Sequence, residues 1–464
     1  MKRICLVQAP IDEGVGRTPY VMPPLGILSL ATYLRNNSPT SDIEVLDGDL
    51  IGLDEVKRKL QDYNPDLVGV STSSSETYGS ALKIAQYAKQ IESKVVFGGE
   101  QASARAKQII SNRHEVDYVV VGQGESPLIQ IILNDNPASI SGLVYRDDLG
   151  KVIENPVGRQ LLLSKDELPI PDRTFVDISE YAKGFQQTTE SRLTGAKCYG
   201  STRTQYGCLK AIQNGPCVFC SRTDLDHLDL RKPETFWKEM ELLLSQGIDY
   251  VWEIAPSFTS ASKNYLKKLA SAKSANCNMN MRVYASPRNE ELCDEEKVEA
   301  LARMGVENVL AGFESGNQNC LDLSNKHITL EEHLKSVKNL KKNGLTLCSA
   351  FIIGLPGETK ESMYQTLNHA KRLKEEIGTK LFRVVTASVL QPYPGTRIFE
   401  SCLSQFPELR SQTDKDILDM DLISRKYIEG ILHLDINEVV SVIEQLRDLA
   451  PIGSGKGPAK IKYG

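Results

Sequence analysis

Three cysteines lie close together in this 464-residue chain: Cys208, then Cys217 after eight intervening residues and Cys220 after two more. A Cys-x-x-Cys pair places two thiolates on neighbouring metal corners, and a third cysteine nearby fills a third. On an iron–sulfur cube this leaves one iron without a protein ligand. An open metal position is what substrate chemistry requires. The other seven cysteines are scattered and read as small buried hydrophobes. Zinc is the alternative metal, with Cys198 as a fourth ligand that would close the site into a structural one.

The elements that must position the triad begin near Gly195. A strand over Ala196–Thr202 leads into Gln205-Tyr206-Gly207-Cys208. Helical stretches end at Gly247, Gly305, Gly344 and Gly378, followed by apolar runs at Tyr250–Ile254, Val309–Phe313, Leu347–Ile353 and Phe382–Val389. With Met281–Ala285 these give about six parallel strands with helices outside. That is a partial βα barrel, whose chemistry belongs at the carboxyl ends of its strands.

Residues 1–165 read as a separate α/β domain. Strands are expected at Arg3–Val7, Ile43–Leu46, Leu67–Ser71, Val95–Phe97 and Tyr118–Val121. Helical spacing falls at Pro24–Leu34, Leu53–Leu60, Tyr78–Ile91 and Ala102–Ser111. This alternation predicts a doubly wound, Rossmann-like parallel sheet that binds ligands beyond its carboxyl edge. The candidate binding residues there are Ser71 and Ser73, whose hydroxyls reach a polar ligand, and Gly98 and Gly99, where the backbone comes close to a flat one.

Several segments resemble the class B radical S-adenosylmethionine (SAM) family, whose members carry a cobalamin-binding domain. In the first domain they are Pro23-Pro24-Leu25-Gly26, Val45-Leu46-Asp47, Gly98-Gly99 and Gly122-Gln123-Gly124-Glu125. Leu168-Pro169-Ile170-Pro171-Asp172-Arg173 resembles the family's interdomain linker. In the barrel they are Gly312-Phe313-Glu314-Ser315-Gly316, Gly354-Leu355-Pro356-Gly357-Glu358-Thr359 and Gln391-Pro392-Tyr393-Pro394-Gly395-Thr396.

The resemblance implies a [4Fe–4S] cluster on Cys208, Cys217 and Cys220 that binds SAM at its open iron and cleaves it reductively to a 5′-deoxyadenosyl radical. It implies Glu314 on the SAM ribose, Ile353 and Gly354 against adenine, Glu253 on the methionine amino group, and Ser286 and Arg288 on the carboxylate. It assigns no catalytic acid or base.

The positions of Glu253 and of Ser286 and Arg288 match the family pattern poorly and otherwise read as ordinary loop residues, and two further features depart from it. The usual cysteine spacing is Cys-x3-Cys-x2-Cys, so this chain carries five extra residues between the first two ligands. Loop-closure scaling puts their entropic cost at about 0.9 kcal/mol, small beside metal binding. Many cobalamin domains also carry an Asp-x-His-x-x-Gly loop after the first strand; here the first histidine is His114. Cobalamin would therefore be held without an imidazole from that loop; the alternative is a domain that kept the fold and lost the cofactor.

The resemblance implies cobalamin-dependent methyl transfer to an unactivated carbon of a small molecule or peptide, fed by an external one-electron reductant such as flavodoxin or ferredoxin. The alternative is a radical SAM cyclisation, rearrangement or oxidation, or transfer of another SAM-derived group. A formal net charge of −5 gives no basic footprint for nucleic acid. No apolar run approaches a membrane span or a signal peptide core, so a cytoplasmic protein is expected. The expected organisation is 1–165 cobalamin-binding type, 166–194 linker, 195–405 radical SAM barrel, and 406–464 a helical region with a flexible tail.

Overall fold

A computed structural model of the chain describes residues 2–12, 22–72, 74–158, 162–222, 227–413 and 419–450. The chain divides into two compact units, the main run of the first ending at Gln187 and the second beginning at Thr188.

The first unit is built on a seven-stranded sheet: β1 (Arg3–Gln8), β2 (Asp42–Asp47), β3 (Leu67–Ser71), β4 (Lys94–Gly98), β5 (Tyr118–Val120), β6 (Leu143–Arg146) and β7 (Val152–Glu154), in the order β2-β1-β3-β4-β5-β6-β7. β1 to β5 pair in parallel, and β6 and β7 extend the sheet antiparallel. Val68, Val95 and Phe97 pack on one face; Ile4, Leu6 and Val96 pack on the other. Burial on both faces is why these strands read as continuous apolar runs. The winding reverses between β1 and β3, which marks the switch point where such sheets bind ligands.

The helix expected over Ala102–Ser111 is broken at Arg105 into Glu100–Ala104 and Ala106–Asn112. Arg105 leaves the helical backbone, and its guanidinium lies 5.0 Å from the Tyr78 ring centroid. Residues 166–187 are built into this unit. Tyr181 and Phe185 are buried there, and the Tyr181 hydroxyl donates to Asp47 Oδ2 at 2.8 Å.

The second unit holds six parallel strands: β8 (Tyr199–Thr202), β11 (Tyr250–Glu253), β12 (Asn280–Ala285), β13 (Val306–Glu314), β14 (Thr346–Ile353) and β15 (Phe382–Val389), in the order β15-β14-β13-β12-β11-β8. A two-stranded antiparallel ladder of β9 (Gln205–Tyr206) and β10 (Asp229–Leu230) closes the base of the cysteine loop. The helix Ile436–Arg447 buries Ile436, Val439, Val442, Ile443 and Leu446, and Arg447 Nη2 donates to the Ala387 carbonyl of β15 at 2.6 Å. No helix of the described residues is long and apolar enough to cross a membrane.

Candidate functional site

The cysteine loop leaves β8 through β9. Gly207 has φ +88°, and a Cβ there would lie 1.8 Å from the His227 carbonyl, so glycine is required just before the first candidate ligand. Cys208 caps the short helix Leu209–Asn214, which ends at Gly215 with φ +74°. The chain then returns to Cys217, whose carbonyl accepts the Cys220 amide at 3.0 Å. All three cysteines are half-buried and outside any disulfide, and burial pushes the Cys208 thiol above its ordinary pKa.

Cys198 precedes β8 and Cys208 follows it, so the two lie toward opposite ends of that strand. Cys198 is buried, and its amide is held by Asp249 Oδ1 at 2.9 Å. That placement removes it as a fourth ligand. Among the described residues, no group of three His, Cys, Asp or Glu side chains is arranged to hold one metal ion. A cube with each sulfur on a separate iron does not need its ligands to meet on one ion. The donor set is soft thiols, which suits iron–sulfur chemistry.

The other barrel candidates sit at or just past the carboxyl ends of successive strands. Glu253 ends β11 and is fully buried. Its Oε1 accepts the Thr204 amide at 2.6 Å and its Oε2 the Ala255 amide at 3.0 Å. Desolvation pushes its pKa up to about 7. Both oxygens thus clamp backbone, where the sequence led us to expect a ligand to the methionine amino group.

Ser286 follows β12, and its buried Oγ has no hydrogen-bond partner among the described residues. Arg288 is buried, donates to the Lys326 carbonyl, and lies 3.9 Å from Glu291 and 3.7 Å from Glu290. Glu314 ends β13 with φ +63°, an unusual conformation for a non-glycine residue. Its carboxylate curls back over Gly312, where a Cβ would lie 2.5 Å from Oε1. The helix that follows, Gln318–Leu323, is capped by Asn317, so Glu314 is not needed as its cap.

Ile353 ends β14 and is buried. Gly354 follows with φ +97°, and its amide donates to Glu358 Oε2 at 3.2 Å. Thr359 then caps the helix Lys360–Ile377 in a reciprocal capping box with Ser362. This makes the Gly-Leu-Pro-Gly-Glu-Thr segment a rigid turn between strand and helix.

Sequence reasoning missed Lys326, in the loop after the helix Gln318–Leu323. Its Nζ is 2.6 Å from Glu314 Oε1. Burial works against its charge, yet Glu314 and the Cys217 thiol raise its pKa above the usual lysine value. Its one sequence signal is the pair of left-handed-tolerant residues around it, Asn325 and His327, both at φ 53°.

In the first unit, Ser71 ends β3 and Gly98 ends β4. A Cβ on Gly98 would meet nothing within 4 Å. At Gly99, φ is +98° and a Cβ would lie 2.5 Å from the Thr72 carbonyl, so this glycine is required by the fold itself. Thr72 ties the two loops together through its amide and hydroxyl, both donating to the Gly98 carbonyl at 2.8 and 3.2 Å. Ser73 lies outside the described residues. Asp12, in the loop after β1, accepts from the Gly79 amide at 3.0 Å and from the Ser80 hydroxyl at 2.6 Å. An open glycine at the end of β4, beside the Ser71 hydroxyl that borders the switch point, fits a large, flat cofactor approached by backbone.

Comparison with known proteins agrees with this geometry. Residues 14–132 match the B12 binding domain, and residues 204–370 match the Radical SAM superfamily. An uncharacterized methyltransferase of Pyrococcus horikoshii is 27% identical over 418 residues, covering 87% of this chain and 83% of the relative. The anaerobic magnesium-protoporphyrin IX monomethyl ester cyclase of Rubrivivax gelatinosus is 24% identical, covering 75% of this chain and 62% of the relative. The fold is similar to that of the radical S-adenosylmethionine methyltransferase TsrM from Kitasatospora setae, solved with tryptophan and a SAM analogue. The TM-score is 0.68 at 22% identity, over 87% of this chain and 77% of TsrM.

Proposed function

We propose, from the premise that this chain belongs to the radical SAM enzymes that carry a B12-binding domain, that it transfers a methyl group to an unactivated carbon of a small molecule or peptide. One observation carries the reading. The cysteine loop follows the carboxyl end of β8, and the groups suited to SAM, at Ser286, Arg288, Glu314 and Gly354, follow the same ends of β12, β13 and β14. When bound, the cluster supplies the electron that cleaves SAM, and cobalamin supplies the methyl group.

The chain's own residues hold and orient. Cys208, Cys217 and Cys220 take three corners of the cluster. Arg288 and Ser286, whose hydroxyl has no partner among the described residues, would hold the carboxylate of the methionine part. Glu314 accepts from the ribose hydroxyls, with Lys326 fixing one of its oxygens. Ile353 and the Gly354 turn contact adenine. In the first unit, Ser71 and Gly98 border the cobalamin. The first histidine of the chain is His114, so no imidazole from the loop after β1 serves as a lower ligand.

A one-electron reductant from outside completes the system. All ten cysteines are free thiols, consistent with a cytoplasmic, reducing setting. A net charge of −5 supports a small-molecule or peptide substrate over nucleic acid.

The test is anaerobic turnover with methyl-labelled SAM, a reductant and a small-molecule and peptide extract, with and without added cobalamin. Label is expected in a new product only when cobalamin is present. The kinship with a ring-forming cyclase supports a second reading, radical cyclisation or oxidation. That reading predicts 5′-deoxyadenosine and an unlabelled product.

A further inference from the structure

The extended loop between Cys208 and Cys217 creates a problem that a three-residue spacing would not. Its helix, Leu209–Asn214, leaves its last carbonyls without partners inside the helix. Left unanswered, they would let the loop drift and carry Cys217 with it.

Lys210 Nζ, from within the loop, donates to the Gly215 carbonyl at 2.8 Å, and one distant side chain reaches the rest. The two N–H groups of Asn325 Nδ2 are shared among the carbonyls of Asn214 at 3.1 Å, Gly215 at 3.4 Å and Pro216 at 2.9 Å. Pro216 is the residue immediately before Cys217. The same strap holds the far side of Cys217, because the Ser324 carbonyl accepts the Val218 amide at 3.2 Å. Asn325 itself is locked: its backbone is left-handed at φ 53°, and its Oδ1 is 2.8 Å from His327 Nε2. Glycine would satisfy that backbone most easily, so what asparagine adds is the amide. The next residue, Lys326, reaches Glu314, which ties the strap to the SAM side of the site.

We propose that Asn325 is a positioning residue for the cluster. Its amide fastens the extended loop so that Cys217 presents its thiolate at the corner a three-residue spacing would otherwise set. The proposal rests on the cluster reading above and goes beyond it, since it concerns the insertion particular to this chain.

Two substitutions separate backbone from amide. Asn325→Gly keeps the left-handed backbone and removes the donor. Asn325→Asp keeps the shape but turns an acceptor toward three carbonyls. The full-length, anaerobically reconstituted protein is assayed for iron and sulfide content, for the rate of iron release to a chelator, and for the electron paramagnetic resonance signal of the reduced cluster with and without SAM. Roughly tenfold faster iron release is expected for Asn325→Gly and more for Asn325→Asp, with an altered signal on SAM addition and an unchanged melting temperature of the apoprotein.

Wild-type release rates and signals in both variants would overturn the proposal. So would a fall in apoprotein melting temperature that accounts for the loss, because the residue would then merely hold the fold. If the wild-type protein assembles no cluster, or Cys217→Ala assembles one normally, the cluster reading fails along with this one. Failure confined to the Asn325 variants leaves the cluster reading intact.

Discussion

The ends of β3 and β4 in the first unit and the rim of the barrel handle charge in opposite ways; the acids of the first unit's edge, Asp12 and buried Asp47, belong to the β1 and β2 ends. At the ends of β3 and β4 in the first unit stand Ser71, Thr72, Gly98 and Gly99, none of them charged. The rim of the barrel gathers four buried charged residues, Glu253, Arg288, Glu291 and Glu314, with Lys326 half-buried beside them. A neutral mouth grips by shape and backbone approach. A charged and buried one requires either internal partners or a zwitterionic guest, since an unpaired buried charge is strongly unfavourable. Most of the rim charges have internal partners. Glu253 clamps two amides, Glu291 accepts from Ser257 and from Thr259 at 2.7 Å, and Glu314 commits one oxygen to Lys326. Buried charge marks where the site is braced, and spare hydrogen-bonding capacity marks where a ligand goes.

The most severe break of the comparison falls on the thiols. Replacing Cys208, Cys217 and Cys220 together by alanine is expected to reduce iron and sulfide to background and to abolish 5′-deoxyadenosine formation. Cobalamin binding by the other mouth should be unchanged, because it uses none of these groups. Iron and sulfide analysis, chromatography of SAM products and cobalamin absorbance read the three quantities. Iron retained in the triple variant would end the cluster assignment.

Next in size is the pH response of Glu253. Its folded pKa of about 7 lies above the ordinary 4.5. A carboxyl raised by folding contributes stability that is complete below about pH 4.5 and is lost as pH rises through about 7. The loss amounts to about 3 kcal/mol over that window. Glu253→Gln carries no such titration, so the difference in unfolding free energy between wild type and variant should change by that amount between pH 4.5 and 8. Denaturant melts across the window measure it. Parallel curves would mean that the carboxyl titrates as it does in the unfolded chain.

The barrel was legible because most of its strands are largely apolar runs, and four of the six follow a helix-ending glycine; all six sequence-predicted strands are found within a few residues of their expected ends. The edge hairpin of β6 and β7 was not expected as strands. Each is only three or four residues long, and its pairing is visible only in three dimensions. Within the candidate site, the positions of Cys208 after β8 and of Glu314 at the end of β13 were legible from motifs. The site was illegible where the partner is backbone far away in sequence. Nothing in Trp252-Glu253-Ile254 announces that Glu253 is committed to the Thr204 amide. Likewise, nothing near Cys217 announces Asn325, which acts from more than a hundred residues downstream.

The neutral mouth yields the two smaller effects, and neighbouring glycines separate them. Gly99→Ala forces a Cβ to within 2.5 Å of the Thr72 carbonyl at a left-handed φ. It should destabilise the first unit by about 2 kcal/mol whether or not cobalamin is present, as read by thermal melts. Gly98→Ala places its Cβ in open space, so melting should barely change. If backbone approach is how this mouth holds its cofactor, that methyl group stands where the flat ligand must come, and cobalamin affinity should fall about tenfold, or about 1.4 kcal/mol. Absorbance titration of the apoprotein gives the affinity. A Gly98→Ala protein that binds cobalamin as tightly as wild type would move the contact surface away from β4 and leave the Ser71 side of the switch point to carry it.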